Sequence, residues 1–141
     1  MEIPSGECNC LALRKAARRI SNFYDAELAP SGLRATQFSI LAAVSRSGEL
    51  TVNAIAERLA LDRTTAGKNL RPLEEAKLIK IAPLKQDRRA RAITMTAAGL
   101  ARFREAVPLW RKAQSRFEAL NGKAAVASLR TSLSGLRLDP A

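Results

Sequence analysis

The sequence predicts a mainly α-helical fold carrying one small β-hairpin. Over most of the 141 residues, apolar side chains recur three or four apart. The exception is 78–96, LIKIAPLKQDRRARAITMT, where two short β-branched runs flank a cluster of charge. Gly, Pro and Asn punctuate the chain between these segments and divide it into helix, helix, helix, helix, hairpin, helix, helix. The length and a 47% apolar content suit one domain, 1–141, with a real core.

Each element has its own local signal. From Cys10 to Leu28, residues Leu13, Ala17, Ile20, Tyr24 and Leu28 fall on one helical face. APSGL (29–33) breaks the chain at Pro30 and Gly32. Thr36 to Ser45 reads as a second helix with Phe38, Leu41 and Val44 on its apolar side, and SRSGEL (45–50) as a turn. Thr51 suits an N-cap for VNAIAERLA, and Asp62 suits a second N-cap, opening DRTTAGKNLRPLEEAK. The latter helix repeats its apolar positions at Ala66, Leu70 and Leu73. It also holds Gly67 and Pro72, which cost roughly 1 and ~3 kcal/mol inside a helix, so a bend near Pro72 is expected. After the hairpin, TAAG (96–99) opens a long helix to about Leu120, with Pro108 inside it. Asn121 and Gly122 precede a last helix. Its apolar side, Ala124, Ala125, Val126, Leu129, Leu133 and Leu136, exceeds what one short helix uses alone. A partner subunit would bury it, and helices from both chain ends meeting across a two-fold axis fit an isologous homodimer.

Charge narrows the function. Lys and Arg total 24 against 13 Asp and Glu, a net +11, more than solubility requires. Such an excess points to a polyanion, most often nucleic acid. No run approaches the ~18 apolar residues of a membrane span. MEIPSGECNC lacks the basic and apolar regions of a secretion signal, so a cytoplasmic chain with reduced thiols is expected. The absence of His removes imidazole bases, His-based zinc sites and Ser-His-Asp triads. With no paired carboxylates and no Gly-rich phosphate loop either, the chain does not read as an enzyme, and no cofactor or structural metal is expected.

VNAIAERLALDRTTAGKNLRPLEEA has the layout of a helix-turn-helix, whose second helix enters the DNA major groove by its N-terminal end. That end offers Arg63, Thr64, Thr65, Lys68, Asn69 and Arg71, side chains that bind phosphates and base edges. Gly67 allows close backbone approach to a groove wall. The hairpin follows at once, so its loop lies beside the same duplex, with Arg88 and Arg89 suited to the narrow, electronegative minor groove. Residues 62–99 carry nine Lys or Arg and four Asp or Glu. A solvated turn is the plain alternative for the basic tip, and sequence-independent architectural or RNA binding the alternative for the charge as a whole.

IAERLALDRTTAGKNLRPLEEAKLIK followed by QDRRARAITMTAAG resembles the winged helix-turn-helix of MarR-type transcriptional regulators, over about Cys8 to Gly122. The wing signature is Asp87, Arg89, the strand ending Met95-Thr96, and Gly99. The resemblance implies that Arg89 reaches the minor groove, that Asp87 supports the wing, and that 63–71 is the recognition helix. It implies a DNA-binding lobe at 34–99, dimerisation helices at 8–30 and 100–138, and a homodimer on a roughly palindromic operator. Such regulators usually repress, under an effector that changes the spacing of the two lobes. The chain departs from the family pattern at Gly67-Lys68, at Ala76-Lys77 where a Gly usually ends the helix, and at Met95.

Cys8 and Cys10 stand at the start of the first helix. They suit small buried residues at a helix start or dimer seam, two-thiol metal binding, or redox sensing, because a helix N-terminus favours the thiolate that peroxides attack. Cys10 and Tyr24 resemble a thiol and a tyrosine partner of the family's organic-peroxide sensors; Arg14 and Ala35 stand where further tyrosines are expected. Trp110 reads as core or interface. In the family, small aromatic anions bind between the dimerisation helices and the DNA-binding lobe, which implies Arg14, Arg18, Phe38 and Trp110 as a possible pocket.

Overall fold

The structure, a computed structural model, describes residues 1–2 and 4–139. Six helices and three strands follow in order: α1 (Asn9–Leu28), α2 (Ala35–Ser47), β1 (Glu49–Thr51), α3 (Val52–Arg58), α4 (Arg63–Glu75), β2 (Ile79–Pro83), β3 (Arg91–Met95), α5 (Ala97–Asn121) and α6 (Lys123–Ser134). A 3-10 turn at Ser5–Glu7 precedes α1, and another at Ala29–Ser31 follows it. The mainly helical fold and its hairpin agree with the sequence reading. The sheet does not: it has three strands, in the order β1-β3-β2, both pairs antiparallel. The segment 45–50, expected as a turn, supplies β1 after Gly48 turns the chain at φ 75°. Leu50 pairs with Ile93, more than forty residues on, so nothing local in three residues announces the strand.

Caps explain where the helices start. Thr51 accepts the Ala54 N–H at 3.0 Å, Asp62 the Thr65 N–H at 2.7 Å, and Thr96 the Gly99 N–H at 3.0 Å. The start of α2 is capped from a distance: Ala35 donates to Asp25 Oδ1 of α1 at 2.7 Å. Pro72 does not interrupt α4, nor Pro108 α5. Both prolines are exposed, so the carbonyl each leaves unbonded one turn back has access to water. The end of α4 is tighter. Lys77 adopts φ 60°, and Leu78 donates to Leu73 O at 2.9 Å, closing the helix as glycine usually does.

Leu28, Ile40, Leu41, Val44, Ile55, Leu73 and Ile93 are the largest fully buried side chains, drawn from α1 to α4 and β3. Phe38 of α2 lies against Phe103 and Trp110 of α5, with ring centroids 5.2 and 5.7 Å away. Helices α1 and α5 are joined by Glu27, buried on α1, which pairs with Arg116 and, at 3.7 Å, with Lys112. The Arg116 hydrogen bond, reinforced by Lys112, holds the Glu27 carboxyl below its usual range against the opposing effect of burial. Arg116 also lies over the Phe23 ring at 5.2 Å. Because α5 is continuous from Ala97, the expected boundary between lobe and dimerisation helices near residue 99 falls inside one helix.

Gly99 sits where α5 crosses the start of β2. A Cβ there would stand 1.9 Å from the Leu78 carbonyl oxygen and 2.9 Å from Met95 Cγ. Gly99→Ala should therefore lower unfolding free energy by about 3 kcal/mol, the upper end of overpacking effects, as read by urea denaturation. Lys77→Gly should act oppositely. Relief of a left-handed backbone, worth about 1–2 kcal/mol, outweighs the extra freedom of glycine in the unfolded chain, about 0.4–1 kcal/mol. The same denaturation should show a gain below about 1 kcal/mol.

Candidate nucleic-acid interface

The turn between α3 and α4 is made by backbone geometry. Ala60 adopts φ 51°, and Leu61 donates to Ala56 O at 2.8 Å, so the chain reverses within four residues. Asp62 then starts α4 with both carboxylate oxygens engaged. One takes the Thr65 N–H at 2.7 Å, the other the Thr65 hydroxyl at 3.0 Å. These bonds, the backbone one first, hold the Asp62 carboxyl below its usual range.

At about 100° per residue, α4 turns Ala66, Leu70 and Leu73 into the core. Thr64, Lys68 and Arg71, spaced four and three apart, share the opposite, exposed face, and Arg63 is exposed at the first helical position. Thr65 is half-buried and its hydroxyl is committed to Asp62. Asn69 is also half-buried, its amide donating to Thr65 O at 2.9 Å. An added Cβ at Gly67 would meet nothing within 4 Å. Packing therefore does not require this glycine, and its missing side chain leaves the exposed face low between Arg63 and Arg71.

The hairpin β2–β3 ends in a fixed tip. Leu84 donates to Ala90 O at 2.9 Å, and Ala90 to Asp87 O at 3.1 Å. Asp87 Oδ1 accepts the Arg89 N–H at 3.0 Å. The carboxylate thus folds the loop, and Arg88 and Arg89 are left exposed at its end. Lys80, Lys85 and Arg91 are exposed along the same hairpin. The sequence reading did not single them out, although strand alternation was the signal that could have done so. Among the described residues, the ion pairs are those of Glu27 with Lys112 and Arg116. None of these ion pairs involves a cation of α4 or of the hairpin.

The cysteines are exposed, not buried, in the single chain. Cys8 is the N-cap of α1, its sulfur accepting the Leu11 N–H at 3.4 Å. Within one chain the structure does not bring Cys10 to Tyr24. Fourteen residues of the same helix separate them by about 21 Å, and the Tyr24 hydroxyl donates instead to Gln114 of α5. Burial, helped by Glu118, pushes the Tyr24 hydroxyl pKa up, and Arg130 opposes this. No cluster of three or more His, Cys, Asp or Glu suited to a metal occurs among the described residues, and none of their helices is long and apolar enough to cross a membrane.

The expected pocket of Arg14, Arg18, Phe38 and Trp110 is not assembled. Phe38 and Trp110 meet, stacked at 17° and 5.7 Å, but Phe38 is buried in the core. Arg14 and Arg18 are exposed on α1. Arg18 lies nine residues before Glu27, the residue level with Lys112, so the arginines stand about 13 Å or more along the axis from the aromatic pair. Periodicity showed which residues share a face of α1 but not how far along α5 that face extends. The large concavity, about 860 Å³, lies elsewhere, between α1, α5 and α6. Leu13, Ile20, Phe23 and Tyr24 line it from α1, with Phe117 and Leu129 opposite.

Residues 31–90, most of the α2-to-wing lobe, match the MarR family. No match is found among curated protein sequences. Among solved structures, the transcriptional regulator MosR of M. tuberculosis is 35% identical, with a TM-score of 0.75 over 92% of this chain and 98% of that one. MosR has also been solved in complex with DNA, at 36% identity and a TM-score of 0.75 over 94% of this chain and 100% of that one. BpsR of Bordetella bronchiseptica, whose DNA binding is regulated by 6-hydroxynicotinic acid, is 26% identical, with a TM-score of 0.79 over 97% and 100% of the two chains. MarR of E. coli, complexed with operator DNA, shares the fold at 18% identity, with a TM-score of 0.78 over 87% and 89%. With its helix-turn-helix, its three-stranded wing and this likeness along nearly its whole length, the chain belongs to the MarR family of DNA-binding transcriptional regulators, not to a family of enzymes.

Proposed function

We propose that the protein is a sequence-specific repressor that binds a roughly palindromic operator as a homodimer and releases it in response to a small ligand or to cysteine oxidation. The observation that carries this reading is the array of unpaired side chains on one lobe. Arg63, Thr64, Lys68 and Arg71 are exposed on α4, and Arg88 and Arg89 on the wing tip that follows it. Helix α4 reads the major groove from its N-terminal end, with Thr65 beside it, and Arg89 enters the minor groove while Arg88 binds phosphate. Phosphate contacts make binding fall steeply with salt.

The dimer is supported by leucines left open at both ends of the chain. Leu11 and Leu13 on α1, Leu120 on α5, and Leu129 and Leu133 on α6 are each more than 40% exposed. Paired subunits place the two recognition helices about one DNA turn apart, ~34–36 Å. The effector acts by population shift: it binds the DNA-incompetent spacing more tightly and moves the balance only by that difference. BpsR, whose DNA binding responds to an aromatic acid, supports a small aromatic anion as one effector class. The two exposed thiols at the start of α1 support oxidation as the other.

The test is an anisotropy titration on the protein's own upstream DNA against random duplex, with the protein reduced and then peroxide-treated. A preference of ~10³ or more is expected; equal binding to both duplexes would establish sequence-independent architectural binding instead. Arg89→Ala should weaken operator binding by about 1–3 kcal/mol with helical circular dichroism unchanged, and an unaltered affinity would remove Arg89 from the interface. Cys10→Ser should bind DNA as the parent does yet keep its operator under peroxide. A mutant still released by peroxide would exclude Cys10 as the sensor.

A further inference from the structure

The bond between Asp62 and Thr65 fixes what the Thr65 hydroxyl can recognise. A carboxylate accepts hydrogen bonds and has no proton to give. Asp62 stays ionised near neutrality, because its bonds to Thr65 hold its carboxyl below the usual range. The hydrogen on the 3.0 Å line between Thr65 Oγ1 and Asp62 Oδ2 therefore belongs to Thr65. A threonine hydroxyl carries one hydrogen and two lone pairs. With the hydrogen spent on Asp62, Thr65 offers only lone pairs outward. It stands at the third residue of α4, half exposed, in the turn that a recognition helix directs at base edges.

The major-groove edge distinguishes bases by such polarity. Adenine and cytosine present amino donors there, and thymine and guanine present keto oxygens in the corresponding places. A hydroxyl reduced to lone pairs bonds an amino group. It has nothing to give a keto oxygen or a phosphate. We propose that Asp62 and Thr65 together read an amino base, adenine or cytosine, at one position of each half-site. Thr65 makes the contact, and Asp62 is a positioning residue that sets its polarity. This inference rests on the sequence-specific reading above.

A plain capping role makes a different prediction. Asn caps helices about as well as Asp, so Asp62→Asn would leave base choice untouched if Asp62 only capped. If Asp62 sets polarity, the same substitution reverses it. The amide oxygen keeps the Thr65 backbone N–H, the amide nitrogen donates to Thr65 Oγ1, and the Thr65 hydrogen turns outward to seek a keto oxygen.

The experiment is selection from a duplex library with a randomised core, using the full-length parent, Asp62→Asn, Thr65→Val and Thr65→Ser. Anisotropy then follows on the selected duplex and its three variants at the affected pair. The parent and Thr65→Ser should prefer adenine or cytosine at that position by roughly tenfold. Thr65→Val should lose the preference there and nowhere else, and Asp62→Asn should switch it to guanine or thymine. The readout is base preference and not overall affinity, because removing a carboxylate beside phosphates strengthens binding to every duplex alike. The same base selected by the parent and by Asp62→Asn, or a preference surviving in Thr65→Val, would overturn the proposal while sequence-specific binding stands. A parent that enriches no motif would overturn both.

Discussion

The structure depends on one backbone crossing at Leu78. Its N–H closes α4 on Leu73 O at 2.9 Å, and its carbonyl accepts the Thr96 N–H at 3.1 Å. The Thr96 hydroxyl donates to Lys77 O at 2.7 Å and accepts the Gly99 N–H at 3.0 Å. The end of α4, both wing strands and the start of α5 are thus tied within a few ångströms. Only a glycine lets α5 come so close, since a Cβ at residue 99 would overlap the Leu78 carbonyl. Lys77 accepts a left-handed backbone at the same place. The chain tolerates that strain where four element ends over-determine the geometry.

This crossing makes α5 the connection between the two ends of the molecule. Near its start it is bonded to the wing and to the end of α4. Farther along, Phe103 and Trp110 pack on Phe38 of α2, and Arg102 donates to Ser31 O at 3.1 Å. Beyond these, Lys112, Gln114 and Arg116 reach Glu27 and Tyr24 of α1. One continuous helix of 25 residues thus runs from the wing and the end of α4 to the packing against α1 and α6. Pro108 removes a single backbone bond from it without ending it, as expected where the freed carbonyl faces water.

What could be read from the sequence follows from how local each signal is. Thr51, Asp62 and Thr96 announce helix starts because a capping side chain bonds a backbone N–H three residues on, whatever the rest of the chain does. The wing is legible for a similar reason: its strands are neighbours in sequence, and Asp87 bonds within its own loop. Strand β1 has no local signal, because three residues become a strand only by pairing with β3. The start of α2 is capped from α1 by Asp25, which stands ten residues away and in another element. The grouping of Arg14 and Arg18 with Phe38 and Trp110 failed on a distance along a helix axis, which depends on where α5 runs beside α1. Gly99 could be noticed only through a family resemblance. Its cause, contact with a carbonyl twenty-one residues earlier, is tertiary.

Four of the thirteen acidic residues are committed to bonds that shape the backbone or join two helices. Asp25, Asp62 and Asp87 each accept a backbone N–H, at the start of α2, the start of α4 and the wing tip. Glu27 takes up Arg116 and Lys112, fifteen or more residues along α5 from its start at the wing. Asp62 and Asp87 are therefore committed to shaping backbone; among the described residues neither forms an ion pair, and Lys68 acts on the Asp62 carboxyl only through its charge. A carboxylate that caps a helix or closes a loop gains its stabilisation from N–H groups that would otherwise lack a partner. Among the described residues, Arg63, Lys68, Arg71, Arg88 and Arg89 take part in no ion pair. Two carboxylates of this lobe, Asp62 and Asp87, thus fix the backbone at the start of α4 and at the wing tip, the places from which Arg63, Arg88 and Arg89 extend.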